Sequence, residues 1–250
     1  MFAGQRVAIP PLSNVFNISS ERFPVKSGNA EKRRFPSKTP LFVSADSQNA
    51  LGARNLAIAS ASVGATLVHL STDDLFPGVI AHPINEFDKT LPPHIYGKSK
   101  EAGERLVREL CSRHIIVRSS WVYTANEDDL IARLLKACRE GQAVEVPTNQ
   151  YASPTSVDTL AEFIVAALEC DEFGTFHAAD KGLCSRFEFA KHVCDLAGVP
   201  TTTLVGRQDP AEAYRIELDN LMMRLTGVYS MPSWQDDVKN YLGAHGLLAE

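Results

Sequence analysis

ATLVHLST, residues 65–72, followed further on by HIYGKSKEAGERLV, residues 94–107, is the stretch whose reading decides the fold. The first is short, β-branched and largely apolar, the pattern of a strand buried on both faces in a parallel sheet. Upstream, NALGARNLAIASASVG (49–64) is rich in alanine and closes on Gly64, which predicts a helix with glycine at its C-terminal boundary. Residues 75–95 carry four prolines and predict an irregular loop. A helix is expected from about Tyr96 to Ser112, then a strand over HIIVRSSWVY (114–123). The rhythm continues with a helix at 128–141, a brief strand at 143–147 and a helix at 156–169. A strand at 175–179 and helices at 185–198 and 233–243 complete it. Strands alternating with helices in this way predict an α/β fold with a parallel sheet.

Residues 1–44 stand outside this rhythm. They hold five prolines and the run EKRR, and LFVSA (41–45) is the one strand-like segment there. Seven basic and two acidic side chains give that segment a balance of +5, against −10 for the remainder and −5 overall. A net acidic chain has no general attraction to nucleic acid. No run of eighteen apolar residues occurs, so no membrane span is expected. Five scattered cysteines without CxxC spacing fit thiols in a reducing compartment, which points to the cytoplasm, and no metal site is expected.

Tyr96 and Lys100 are four apart, so on a helix both project from one face. An ammonium beside a phenol favours phenolate and lowers its pKa from about 10, which suits a tyrosine to acid–base work. Ser71, Thr72 and Asp73 end the preceding strand, and Ser120 and Trp121 end the following one. Ligands of parallel α/β sheets bind at such carboxyl ends. A strand-end Ser-Thr-Asp also makes turns and caps helices, a blander role for the same residues.

These blocks together resemble the extended short-chain dehydrogenase/reductases, closest to the dTDP-4-dehydrorhamnose reductase branch. LVHLSTDDLF, INEFDKTLPPHIYGKSKEAGE, VRSSWVY, NQYASPT and GTFHAA carry the resemblance, from Asn49 to about Asp180. The 24 residues separating Thr72 from Tyr96 match the family's spacing. The resemblance implies a Rossmann-like core at 41–180, an irregular basic segment at 1–40 and a small substrate-binding region at 181–250. It implies catalysis by Thr72, Tyr96 and Lys100, with NADPH or NADH as cofactor and Tyr96 and Lys100 contacting it. Thr72, Asp73, Trp121 and Gln150 would bind a nucleotide sugar, with Ser153 to Thr155 in the same wall. Glu86 and Asp88 match an acidic pair in the family's loop, open to two readings: an ion or subunit contact, and a solvated loop.

The sequence also departs from the family. No GxxGxxG occurs before Gly64, so the glycine-rich turn that brings backbone amides to a pyrophosphate is missing from its usual place. Asp74 stands where the family has tyrosine, Thr124 where it has glycine, and Glu212-Ala213 where it has Arg-Pro. A sheet reduced on its N-terminal side is therefore expected, with an unpaired edge at ATLVHLS that invites self-association or a protein partner. TPLFVSA (39–45) is the local candidate to cover that edge. Two functions follow: reduction of the keto group of a nucleotide-activated sugar, and a regulatory or structural role similar to that of the methionine adenosyltransferase β subunit.

Overall fold

The computed structural model describes residues 7–8, 47–124, 129–208 and 210–249. Its elements in chain order are β1 (Val7–Ala8), a widened helical turn at Ser47–Gly52, α1 (Ala53–Val63) and β2 (Leu67–Thr72). A 3-10 turn at Asp73–Leu75 leads to α2 (Ile95–Leu110), β3 (His114–Ser119), β4 (Val122–Tyr123) and α3 (Leu130–Arg139). Then come β5 (Val144–Pro147), β6 (Gln150–Ala152), β7 (Thr155–Ser156), α4 (Val157–Glu169) and β8 (Gly174–His177). The chain ends with β9 (Cys184–Ser185), α5 (Arg186–Leu196), β10 (Leu204–Arg207), β11 (Tyr214–Arg215), α6 (Leu221–Thr226) and α7 (Trp234–Ala244).

The central sheet runs β2-β3-β8, all parallel, with Leu67 opposite His114 and Ile115 opposite Gly174. Alternation along β3 explains its layers. Ile116 packs with Ala53, Ala57 and Val107 of α1 and α2 on one face, while Ile115 and Val117 pack with Leu160 and Phe163 of α4 on the other. A sheet covered on both faces needs the near-continuous apolar run seen in the sequence, and the α/β expectation is met.

β2 behaves differently. Its residues are half-buried with Leu70 exposed, while β3 is buried from Ile115 onward. Leu67 N–H donates to the Arg113 carbonyl, so residues 67, 69 and 71 turn their backbone groups to β3. Val68, Leu70 and Thr72 turn theirs to the open side, where no strand pairs among the described residues.

Two differences from the sequence reading stand out. Residues 1–44 do contain a strand beyond the one expected. β1 pairs in parallel with β5, Val7 opposite Val144, next to β10 on the other side of β5 and away from β2. TPLFVSA lies outside the described residues. The strand expected over 114–123 is broken at Ser120 and Trp121, because Trp121 has φ 39° and cannot continue an extended ladder.

Asp237 of α7 ties β4, β7 and α4 together. Its carboxylate accepts Tyr123 Oη at 2.7 Å, Ser156 N at 2.7 Å, Ser156 Oγ at 2.8 Å and Thr159 Oγ1 at 2.5 Å, all buried. β4, β7 and α4 thus converge on one charge. Asp237→Asn replaces one acceptor oxygen by a donor facing donors, and is expected to cost about 3 kcal/mol in urea unfolding. A loss below about 1 kcal/mol would show that water replaces these bonds.

Candidate active site

β2 and β3 point their carboxyl ends at one cleft, and α2 delivers Tyr96 and Lys100 from its first turns. α2 sits unusually close to the turn after β2. A Cβ built on Gly97 would lie 2.2 Å from the Asp74 carbonyl oxygen, and one on Gly103 would lie 2.3 Å from that of Asn49. These glycines set how near α2 comes to the turn after β2 and to Asn49. Gly97→Ala therefore forces the N-terminus of α2 outward, with an expected stability loss of about 1–3 kcal/mol and a fall in any turnover that depends on Tyr96. Unchanged thermal stability would show that the contact relaxes without cost.

Thr72 caps the turn, its hydroxyl accepting Asp74 N–H at 3.2 Å. The same oxygen lies 3.3 Å from Asp73 Oδ1 and 3.4 Å from Asp74 Oδ2. Asp73 is buried, and its Oδ2 also accepts Ser120 Oγ at 2.6 Å and the Tyr214 hydroxyl. Burial pushes the Asp73 carboxyl up despite these donors. Burial and the neighbouring Asp73 push Asp74 up to about 6.

The Tyr96 phenol is half-buried and forms no side-chain hydrogen bond among the described residues. Its pKa is raised, not lowered as the spacing suggested: burial, then Asp74 and Asp73, push it up to about 12. Lys100 does not offset this, because its ammonium donates to the Leu70 carbonyl at 2.5 Å. That carbonyl faces the open side of β2, where a neighbouring strand's N–H would otherwise bind. Sharing a helix face therefore leaves the lysine on the Leu70 carbonyl of the strand edge, which no strand covers among the described residues.

Trp121 lies between the Arg186 guanidinium, 4.1 Å from its ring centre, and Tyr214, stacked at 6.5 Å and 18°. Arg186 Nε donates to Gln150 Oε1 at 2.6 Å, which fixes Gln150 beside Trp121. The sequence reading missed Arg186 and Tyr214. Arg186 opens what reads as an ordinary helix, and Tyr214 reaches the cleft because β11 pairs with β6, Tyr214 opposite Gln150. A two-residue strand has no periodicity to reveal it.

Other expected residues serve the framework. Ser153 Oγ donates to the Gly182 carbonyl at 2.8 Å, and Thr155 Oγ1 accepts Asp180 N–H at 3.1 Å, so both side chains brace loops, while Thr155 N–H donates to the Trp121 carbonyl at 3.4 Å. Glu86 is buried and accepts His177 N–H at 2.9 Å and Met222 N–H at 3.1 Å. Asp88 accepts Asn85 N–H at 2.8 Å. Both acids hold loops, and among the described residues no cluster of three metal-ligating side chains occurs.

A parallel β–α–β unit with Thr72 at the strand end and Tyr96 and Lys100 on the following helix defines an extended short-chain dehydrogenase/reductase. Within that class the chain belongs to the RmlD substrate binding domain family, whose sequence model matches residues 43–246. It is 32% identical over 200 residues to the spore coat polysaccharide biosynthesis protein SpsK of Bacillus subtilis, covering 78% of this chain and 70% of that protein. It is 30% identical over 212 residues to the dTDP-4-dehydrorhamnose reductase of Escherichia coli, with the same coverages of 78% and 70%. Among solved structures, the dTDP-4-dehydrorhamnose reductase of Bacillus anthracis in complex with NADP superposes with a TM-score of 0.74 at 33% identity. That match covers 81% of this chain and 77% of the other.

A nicotinamide cofactor fits this site at one end. Tyr96, Lys100 and Thr72 are the residue types that engage a ribose and a keto oxygen, and the Lys100 ammonium is held by one carbonyl. The dinucleotide's pyrophosphate finds no glycine-rich turn, since no GxxGxxG precedes Gly64.

Proposed function

We propose that the protein reduces the keto group of a dTDP-activated deoxysugar, the reaction named in its dTDP-4-dehydrorhamnose reductase relatives. The observation that carries the reading is the match to the RmlD substrate binding domain family across residues 43–246, beside 30% identity to a dTDP-4-dehydrorhamnose reductase. Reduced nicotinamide, when bound, supplies the hydride. Tyr96 holds the proton for the keto oxygen, and its raised pKa keeps the phenol protonated throughout the neutral range. Thr72 and Asp73 orient the sugar, Trp121 and Gln150 wall it, and Lys100 meets the ribose once released from Leu70. The relatives above give no support to a regulatory subunit.

We further assign residues 41–180 to the core and 181–250 to the substrate cover, supported by Arg186 and Tyr214 closing on Trp121. Among the described residues no helix is long and apolar enough to cross a membrane. All five cysteines are free, which supports a reducing, cytoplasmic setting. The open side of β2 supports self-association or a strand-donating protein partner, which light scattering on the purified chain tests.

The deciding experiment incubates the full chain with dTDP-4-dehydrorhamnose and NADPH and follows loss of nicotinamide absorbance. Sugar-dependent oxidation is expected; its absence with NADPH and with NADH would overturn the reading. Calorimetry is expected to show weak nicotinamide binding, because no GxxGxxG precedes Gly64 in the sequence. Tight one-to-one binding would show a phosphate cradle elsewhere in the chain.

A further inference from the structure

We propose that Arg186 grips the diphosphate of the sugar nucleotide, an inference that deepens the reductase reading and rests on it. Its place follows from the chain. β6 and β9 pair antiparallel, with Tyr151 opposite Ser185 and Ala152 opposite Cys184. One step further, that register brings Arg186, the first residue of α5, opposite Gln150. Ser185 and Glu188 close a capping box, which fixes the start of α5 at Arg186. Arg186 Nε donates to Gln150 Oε1 at 2.6 Å, and the guanidinium carbon lies 4.1 Å over the Trp121 ring. One edge of the group and one face are thereby taken.

The rest of the guanidinium is unused. Nη1 and Nη2 make no hydrogen bond among the described residues, and Arg186 forms no ion pair there. Neither nitrogen is shut off from solvent. A guanidinium held at Nε and against an indole presents its two remaining nitrogens as a preset fork, the geometry that takes two oxygens of one phosphate group. Burial lowers its pKa to about 10, so it keeps its charge throughout the neutral range.

The charges of the cleft decide the ligand. Arg186 and Tyr96 both feel Asp73 and Asp74, which places the four groups in one cleft. In a dTDP-activated sugar the charge sits wholly on the diphosphate, since thymidine and the keto sugar are neutral. Two aspartates repel such a group, and a cation must offset them. Lys100 is held on the Leu70 carbonyl, and Arg215 turns to the other face of β11, 6.0 Å over the Tyr151 ring. Arg186 is the cation with open donors, and its neighbours Trp121 and Gln150 are the wall assigned to the sugar. A dinucleotide also carries a diphosphate, so the test separates the two.

Calorimetry on the full chain is expected to show dTDP binding, weakened about tenfold or more in Arg186→Gln. Arg186→Lys, which keeps the charge and loses the fork, should fall between them. Thymidine should bind wild type and Arg186→Gln alike, and NADPH binding should not change. In turnover, the sugar nucleotide's KM should rise with the dTDP constant while kcat falls far less. Circular dichroism checks the fold, and where Arg186→Gln is unfolded Arg186→Lys carries the comparison. Absent dTDP binding, or equal dTDP affinity in wild type and variants, overturns the assignment. So does an equal loss for thymidine, which would mean that Arg186 only braces Trp121. A loss confined to NADPH would give the fork to the dinucleotide and overturn it too. Unchanged dTDP affinity in a chain that turns over leaves the reductase reading standing. A wild type that binds dTDP through Arg186 but oxidises no NADPH with dTDP-4-dehydrorhamnose removes that reading while the diphosphate contact stands.

Discussion

Tyr96→Phe is expected to cut turnover by about 10²–10⁴-fold while leaving the fold intact, the loss typical of a missing general acid. The variant removes one hydroxyl that makes no hydrogen bond among the described residues, so no packing or polar contact goes with it. The ring stays, and Gly97 still seats the helix against Asp74. Circular dichroism and the urea midpoint should match the wild type. The sugar's KM should change little, because the proton moves only in the transition state. Turnover within threefold of wild type would remove Tyr96 from the mechanism. A collapse of stability instead would mean that the phenol is structural.

The parts of this site that were legible in the sequence share one property: their pattern is local. LVHLST and HIIVRS declare themselves as strands because both faces of their sheet are covered, and Tyr96 with Lys100 declares a helix face by spacing alone. Thr72 and Asp73 follow from lying at the end of such a strand. What escaped depends on distant pairing. Arg186 and Tyr214 meet Trp121 only through the short ladders β6–β9 and β6–β11. The phenol's raised pKa escaped for a related reason. Residue spacing gives the direction of a side chain, while its protonation depends on which charges arrive from elsewhere. Here two aspartates arrived, and a strand edge drew the lysine away. Likewise β1 was invisible, because two residues carry no period.

The second large effect belongs to Glu104, eight residues beyond Tyr96 and four beyond Lys100 on the same face of α2. It is fully buried and holds Arg118 of β3 through two bonds, Oε1 to Nε at 2.9 Å and Oε2 to Nη2 at 2.8 Å. Arg118 also reaches His177 of β8 at 3.3 Å and lies 5.5 Å over the Phe76 ring. One buried pair therefore pins α2 to two strands of the sheet. Burial alone would raise the Glu104 carboxyl, but the Arg118 bonds and charge hold it at about 2. Glu104→Ala leaves Arg118 buried without its counter-charge and is expected to cost about 3–5 kcal/mol, as is Arg118→Ala. The double variant Glu104→Leu/Arg118→Met, which buries no charge, should recover most of that loss. The pH dependence follows from the direction of the shift. Because the folded carboxyl is depressed below its ordinary 4.5, its contribution is present above 4.5 and lost as pH falls towards 2. The gap between wild type and Glu104→Gln in urea midpoint should therefore narrow over that window. A gap that widens on acidification, or single variants that lose under about 1 kcal/mol, would show that α2 is held chiefly by its glycine contacts.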